Sequence, residues 1–192
     1  MDVRGAEGNV IEGYPSEHRG CSVVFRGRGH QLTFGANVRL RNAKFRFLGK
    51  GAPTSIVIGD DVFVNQAADF DLHATRIVIG NGVRIIKKSQ FIVAGGATLE
   101  IGAGCLLANV RIRTNDMHKV VDVATGEWLN PAGDVVLEPR VWLAEDVKIY
   151  KGVRIGEGSV VGACSVVTSD LPAQSLCVGV PARVVRQGVT WA

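Results

Sequence analysis

"LEPRVWLAEDVKIYKGVRIGEGSVVGACSVV", residues 137–167, places an aliphatic residue at every sixth position: Leu137, Leu143, Ile149, Ile155, Val161 and Val167. Four residues after the first five of these come Val141, Val147, Val153, Ser159 and Ser165, and Gly or Ala follows Leu143, Ile155 and Val161. Six is an even number, so in extended chain every first-position side chain points to the same face. An amphipathic helix needs apolar spacing near 3.6, which this stretch lacks.

The same unit recurs upstream. "FGANVR" starts at Phe34, "IGDDVF" at Ile58, "IGNGVR" at Ile79 and "IGAGCL" at Ile101, and Leu40, Val64, Phe70, Ile85, Phe91 and Leu107 continue them in sixes. The four starts are separated by 24, 21 and 22 residues, each three hexads plus a few extra. A coil of three short strands would stack these positions in one apolar column, with extra residues looping out at corners. No single coil buries its own face, so stacking is required.

Composition agrees. The chain has 24 Gly but only 7 Phe, 3 Trp and 2 Tyr, as expected for short strands joined by tight turns. Net charge is +4 with the basic residues dispersed, which argues against a nucleic-acid patch and suits attraction of an anionic small molecule. Cys21, Cys105, Cys164 and Cys177 form no CxxC pair, and Cys105 and Cys164 fall where the repeat wants a small apolar residue, so buried reduced thiols are expected. The polar start "MDVRGAEGNV" has no secretory character and no apolar run of about 18 residues follows, so a cytoplasmic protein without a membrane span is expected.

After Leu107 the next hexad is due at Arg113, and the column resumes only at Leu137. Residues 113–136 therefore read as a loop leaving the scaffold. It holds Asn115, Asp116, His118, Asp122, Glu127, Trp128 and Asn130 before Pro131. A polar loop with embedded aromatics on a rigid stack is a natural place for chemistry.

The repeat resembles the hexapeptide-repeat family over about Phe34 to Leu171. The resemblance implies a left-handed parallel β-helix, a triangular solenoid with one protruding loop and a short C-terminal tail. It also implies a homotrimer with sites between neighbouring chains. Asp116-x-His118, "TGEWLNPAGDV" (125–135), "VWL" (141–143), "KGVRIGEGSVVGACSVV" (151–167) and "GVPARVVR" (179–186) look like the acyl-CoA-dependent O-acetyltransferases of bacterial surface polysaccharides. That likeness makes His118 the general base and acetyl-CoA the donor, with Trp142 in the donor–acceptor groove. The pantetheine arm would run along the C-terminal coils, where Ala144, Gly162 and Ala163 offer backbone donors and little bulk. Lys151, Arg183 and Arg186 are candidates for the phosphates, Arg183 first. Asn115 and Trp128 are candidates for the acceptor, although Trp128 also reads as a loop anchor.

The chemistry fits independently. A sugar hydroxyl is a poor nucleophile, and a neutral imidazole can take its proton as it attacks a thioester; such help is worth roughly 10²–10⁴ in rate. Asp116 lies two residues from His118. It can steer the imidazole, touch the acceptor or only shape the loop.

His18 and His30 lie in the poorly matched first segment and read as surface or packing residues; His73 reads as structural. No three His share a metal-binding spacing, which argues against the carbonic anhydrases built on this scaffold, and no metal is expected. "KKSQFIVAGG" (87–96) carries Ser89 and Gln90 where several relatives have an Asn that holds the acceptor, which argues against the maltose or galactoside subtype. The alternatives are another hexapeptide acetyltransferase with a xenobiotic, amino-sugar or serine acceptor, or a non-catalytic trimeric scaffold. The serine enzymes usually carry a helical N-terminal domain, which residues 1–31 cannot supply. The expected organisation is an irregular N-terminal cap over 1–31, the β-helix over 32–172 with its loop, and a tail over 173–192.

Overall fold

The computed structural model describes residues 1–49 and 52–192 and is a left-handed parallel β-helix. Three sheets of eight, seven and nine strands form its walls, visited in turn by each coil. The first wall runs from Asp2–Arg4 through Ala68–His73, Ser89–Ala94 and Arg111–Arg113 to Val166–Val167. The second runs from Val10–Glu12 through Thr98–Ile101 and Val135–Leu137 to Val153–Ile155. The third runs from Glu17–Arg19 through Trp142–Leu143 to the terminal hairpin of Ser175–Gly179 and Ala182–Gln187, its one antiparallel pair.

The hexad register becomes the inter-coil register. Phe34, Ile58, Ile79, Ile101, Leu137, Ile155 and Leu171 stack as one column of the second wall. Leu40, Val64, Ile85, Leu107, Leu143, Val161 and Cys177 form the third-wall column. Phe45, Phe70, Phe91, Ile112, Ile149 and Val167 form that of the first wall. There the Phe70 ring is sandwiched, with centroids 4.9 Å from Phe45 and 4.7 Å from Phe91. The columns meet as one buried core along the axis.

The glycine that follows Phe34, Ile58, Ile79, Ile101 and Ile155 in the second wall has a steric cause. A Cβ on Gly102 would lie 2.6 Å from the Glu138 carbonyl carbon of the next coil, and one on Gly156 2.3 Å from Ala173 N. Two residues further, the corner is left-handed at Asp61, Gly82, Gly104, Arg140, Gly158 and Gln174. The N–H of each donates to a carbonyl of the previous coil, at 2.8–3.0 Å.

Four sequence expectations are corrected. The column position after Leu107 is Ile112, not Arg113, because Asn109 takes a left-handed turn (φ 52) that shortens the corner by one residue. Asn42 (φ 54) does the same between Leu40 and Phe45. The loop accordingly leaves at Thr114, one residue later than the hexad count suggests. Residues 1–31 are not an irregular cap: they supply strands to all three walls in register with the next coil. Cys21, Cys105 and Cys177 are buried, but Cys164 is exposed. It occupies the left-handed corner position (φ 60), whereas Cys105 sits one residue further along its hexad and faces inward, where burial pushes its thiol up to about 11.

Candidate active site

The loop of residues 114–134 springs from the corner between the first and second walls. Its ends are pinned. The buried Thr114 hydroxyl accepts from Ala94 N (2.9 Å) and donates to Ala94 O (3.1 Å), and Gly133 N donates to Thr114 O (3.0 Å). Gly133 is required by crowding, since a Cβ there would lie 2.9 Å from Gly152 N. Between the ends the chain forms a small hairpin. Val121 bridges Trp128 antiparallel, and Leu129 N donates to Val120 O at 2.9 Å. Asp122 Oδ1 closes the tip by accepting from Ala124 N and Thr125 N, both at 2.8 Å. These backbone donors hold the Asp122 carboxyl below the usual range.

Asn130 organises the base of the hairpin. Its Oδ1 accepts from Val120 N (2.6 Å) and Trp128 Nε1 (2.9 Å); its Nδ2 donates to Asp116 Oδ2 (2.9 Å) and to the His118 carbonyl (2.9 Å). That is the full hydrogen-bonding capacity of a carboxamide. Asp116 Oδ2 also accepts from Lys151 Nζ, which reaches back from the next coil. The Lys151 hydrogen bond is the largest effect on the Asp116 carboxyl; burial opposes it, and with the Asn130 hydrogen bond and the charges of Lys151 and Arg113 the carboxyl is held below the usual carboxylate range. Met117 takes a left-handed φ of 67, and His118 emerges from this kink exposed, its ring making no hydrogen bond among the described residues. Lys119 Nζ lies 4.5 Å from the centroid of the Trp128 ring. A cleft of about 180 Å³ is lined by Asn115, Asp116, His118, Trp128 and Asn130 with their neighbours. Asn115 Oδ1 is buried without a hydrogen-bond partner.

The structure thus brings Asn115, Asp116, His118 and Trp128 together, and adds two residues to the expected picture. Asn130 had no assigned role; its one sequence signal is an Asn-Pro pair just before the register resumes, which reads as a turn. Lys151 was expected at a phosphate, and its ammonium is instead committed to Asp116. Asp116 makes no hydrogen bond to the His118 ring; it meets Lys151 and Asn130.

The other candidates lie on the third wall and beyond. Trp142 faces outward and half-buried there, 6.1 Å from the Trp191 ring of the C-terminal tail. Ala144 N and Gly162 N do not serve as free donors, because they bond Val161 O (2.9 Å) and Cys177 O (2.8 Å) in the inter-coil ladder. Ala163 is exposed at the following corner and makes no such bond among the described residues. Arg183 and Arg186 project from the last strand, exposed and, among the described residues, without a carboxylate partner. Trp142 does not line the loop cleft. Among the described residues no three His, Cys, Asp or Glu side chains converge as a metal site would need, and no helix is long and apolar enough to cross a membrane.

The sequence profile of the bacterial transferase hexapeptide family (six repeats) matches residues 134–169. With its stacked hexads, the chain is similar to the hexapeptide-repeat acyltransferases, and most like those named as polysaccharide O-acetyltransferases. It is 29% identical over 132 residues to the polysialic acid O-acetyltransferase of Escherichia coli O1:K1 / APEC, covering 67% of this chain and 43% of that one. A putative acetyltransferase of Staphylococcus aureus (strain COL) is 48% identical over 61 residues, 32% of this chain and 31% of the relative. These matches span less than two thirds of the relatives' own length. Among solved structures, the polySia-specific acetyltransferase NeuO superposes with a TM-score of 0.82 at 26% identity, covering 100% of this chain and 86% of that chain. The polysialic acid O-acetyltransferase OatWY shares the fold, with a TM-score of 0.87 at 24% identity over 100% and 91%.

Proposed function

We propose that the chain transfers an acetyl group from acetyl-CoA directly to a hydroxyl of a bacterial surface saccharide, with His118 as general base. The acceptor is a unit of a capsule, lipopolysaccharide or exopolysaccharide. The carrying observation is that, among the described residues, the run of strands is interrupted between Arg113 and Val135 by a loop that Asn130 organises and that presents an exposed His118.

An imidazole nitrogen takes the proton of the saccharide hydroxyl as its oxygen bonds to the thioester carbonyl carbon. The carbonyl electrons move onto oxygen, then return as the C–S bond breaks. The departing sulfur takes the proton from the imidazolium. Asn115 Oδ1, a buried acceptor without a donor, suits a hydroxyl of the acceptor. Trp128 offers a ring edge beside it. Asp116 shapes the loop through Asn130 and Lys151.

The reading includes a homotrimer with sites between chains, and three features of the geometry support it. The cleft of about 180 Å³ is smaller than the roughly 300–1,000 Å³ of a small-molecule site. The loop leaves the corner facing away from the third wall, which carries Trp142. Met117, Val120, Val121, Val123 and Leu129 are exposed on the loop, an apolar surface suited to a neighbouring chain. The loop of one chain against the third wall of another unites His118 with Trp142, and sets the exposed Arg183 and Arg186 at the anionic end of the donor.

The test is thiol release from acetyl-CoA with a panel of bacterial saccharides, with the products weighed for an added acetyl group. Saccharide-dependent release with an added acetyl supports the reading. No turnover and no binding of coenzyme A sinks it in favour of a scaffold.

A further inference from the structure

Resting on the reading of His118 as base, we propose that Asn130 and Lys151 are positioning residues for the transfer: they lock the loop so that the imidazole projects in one pose while the Asp116 carboxylate is held off the ring.

The Asn130 side chain joins Asp116, His118, Val120 and Trp128 of the loop. One amide hydrogen fixes the His118 carbonyl and the other fixes Asp116, while Oδ1 gathers Val120 N and Trp128 Nε1. Only the carboxamide of the longer Gln has the same donors and acceptors. Asp lacks both donors and would set a second carboxylate against Asp116, and a Ser hydroxyl supplies a single donor. The peptide so fixed follows Met117, whose left-handed φ of 67 is unusual for an unbranched L-residue. A kink of that kind persists when its surroundings hold it, and Asn130 holds both sides of it, at Asp116 and His118.

Lys151 works from outside the loop. It sits between Lys148–Ile149 of the first wall and Val153–Ile155 of the second, one coil beyond the loop. Its ammonium shares Asp116 Oδ2 with Asn130 Nδ2. The carboxylate nearest in sequence to His118 is therefore engaged from two directions and makes no bond to the imidazole. Arg113, Lys119 and Lys151 are the cations of this neighbourhood, Asp116 its carboxylate; Lys119 is turned onto Trp128. Removing the Lys151 ammonium leaves Asp116, still bonded to Asn130, without its counter-charge two residues from the imidazole, which favours imidazolium over neutral base.

The experiment compares Asn130→Asp, Lys151→Met and Lys151→Arg with wild type and His118→Ala, measuring kcat, KM for acetyl-CoA and the pH profile of kcat. Asn130→Asp is expected to lower kcat at least tenfold with KM for acetyl-CoA within twofold. Lys151→Met is expected to move the acid limb of the profile to higher pH, and Lys151→Arg to keep it near wild type. If Asn130→Asp loses the sheet signal in circular dichroism, the Lys151 pair carries the test alone. Wild-type kcat and pH profile in both Asn130→Asp and Lys151→Met, with His118→Ala inactive, overturns the positioning role and leaves the base standing. Wild-type activity in His118→Ala removes the base and the positioning role together.

Discussion

Lys151 Nζ pairs with Asp116 Oδ2 across the corner where the solenoid resumes, tying the loop to the coil that follows it. The pair spans 35 residues of chain and joins an element outside the repeat to one inside it. The solenoid can therefore carry a loop of its own without leaving that loop loose.

Acid should release the loop before it melts the prism. The folded-state pKa of Asp116 is depressed by Lys151 and Asn130, and that of Asp122 by the N–H groups of Thr125 and Ala124. Stability from a depressed carboxylate is present above its unfolded value, about 3.9, and is lost as pH falls through the lower folded value. Fluorescence of Trp128, whose Nε1 rests on Asn130, should change below about pH 4 while the sheet signal in circular dichroism persists. A loop transition at neutral pH would contradict this.

The sandwiched Phe70 ring predicts a large core penalty. Phe70→Ala removes a fully buried ring stacked on both sides, and should cost about 3–5 kcal/mol in chemical denaturation. A change under about 1 kcal/mol would mean that the column relaxes around the gap.

Arg183 and Arg186 are exposed on the last strand without carboxylate partners among the described residues. If they meet the donor's phosphates, the double change to Ala should raise KM for acetyl-CoA roughly tenfold with little effect on kcat, the scale of one charge-assisted hydrogen bond. An unchanged KM would assign both to simple solvation.

If the sites are built between chains, two defective variants are complementary. Co-expression of His118→Ala and Trp142→Ala chains, each inactive alone, should restore part of the activity, because some interfaces then combine an intact loop with an intact third wall. No recovery in mixed oligomers would argue that each site lies within one chain.

The fold was legible because its period is a covalent regularity. Ile58, Ile79, Ile101 and Leu137 could be aligned by counting, and they are stacked neighbours. Counting failed at Asn109, where a left-handed residue removes one position from a corner, a backbone event that side-chain spacing does not record; Asn42 shortens its corner in the same way. It also failed in the first coil, where the positions that pair with Val23, Leu32 and Leu40, namely Val3, Ile11 and His18, are not spaced by six and strand pairing with the next coil decides the structure. Within the site, His118 stood out by chemistry and by its place in the interruption. Lys151 did not, because its partner is 35 residues away, and Asn130 did not, because a carboxamide beside Pro reads as an ordinary turn.

The central claim is that His118 takes the proton of the acceptor hydroxyl. Its most direct measurement is the rate of acetyl-CoA turnover on a saccharide acceptor by wild type and His118→Ala at matched fold and oligomeric state. The account predicts a loss of roughly 10²–10⁴ in kcat; equal rates in the two proteins would contradict it.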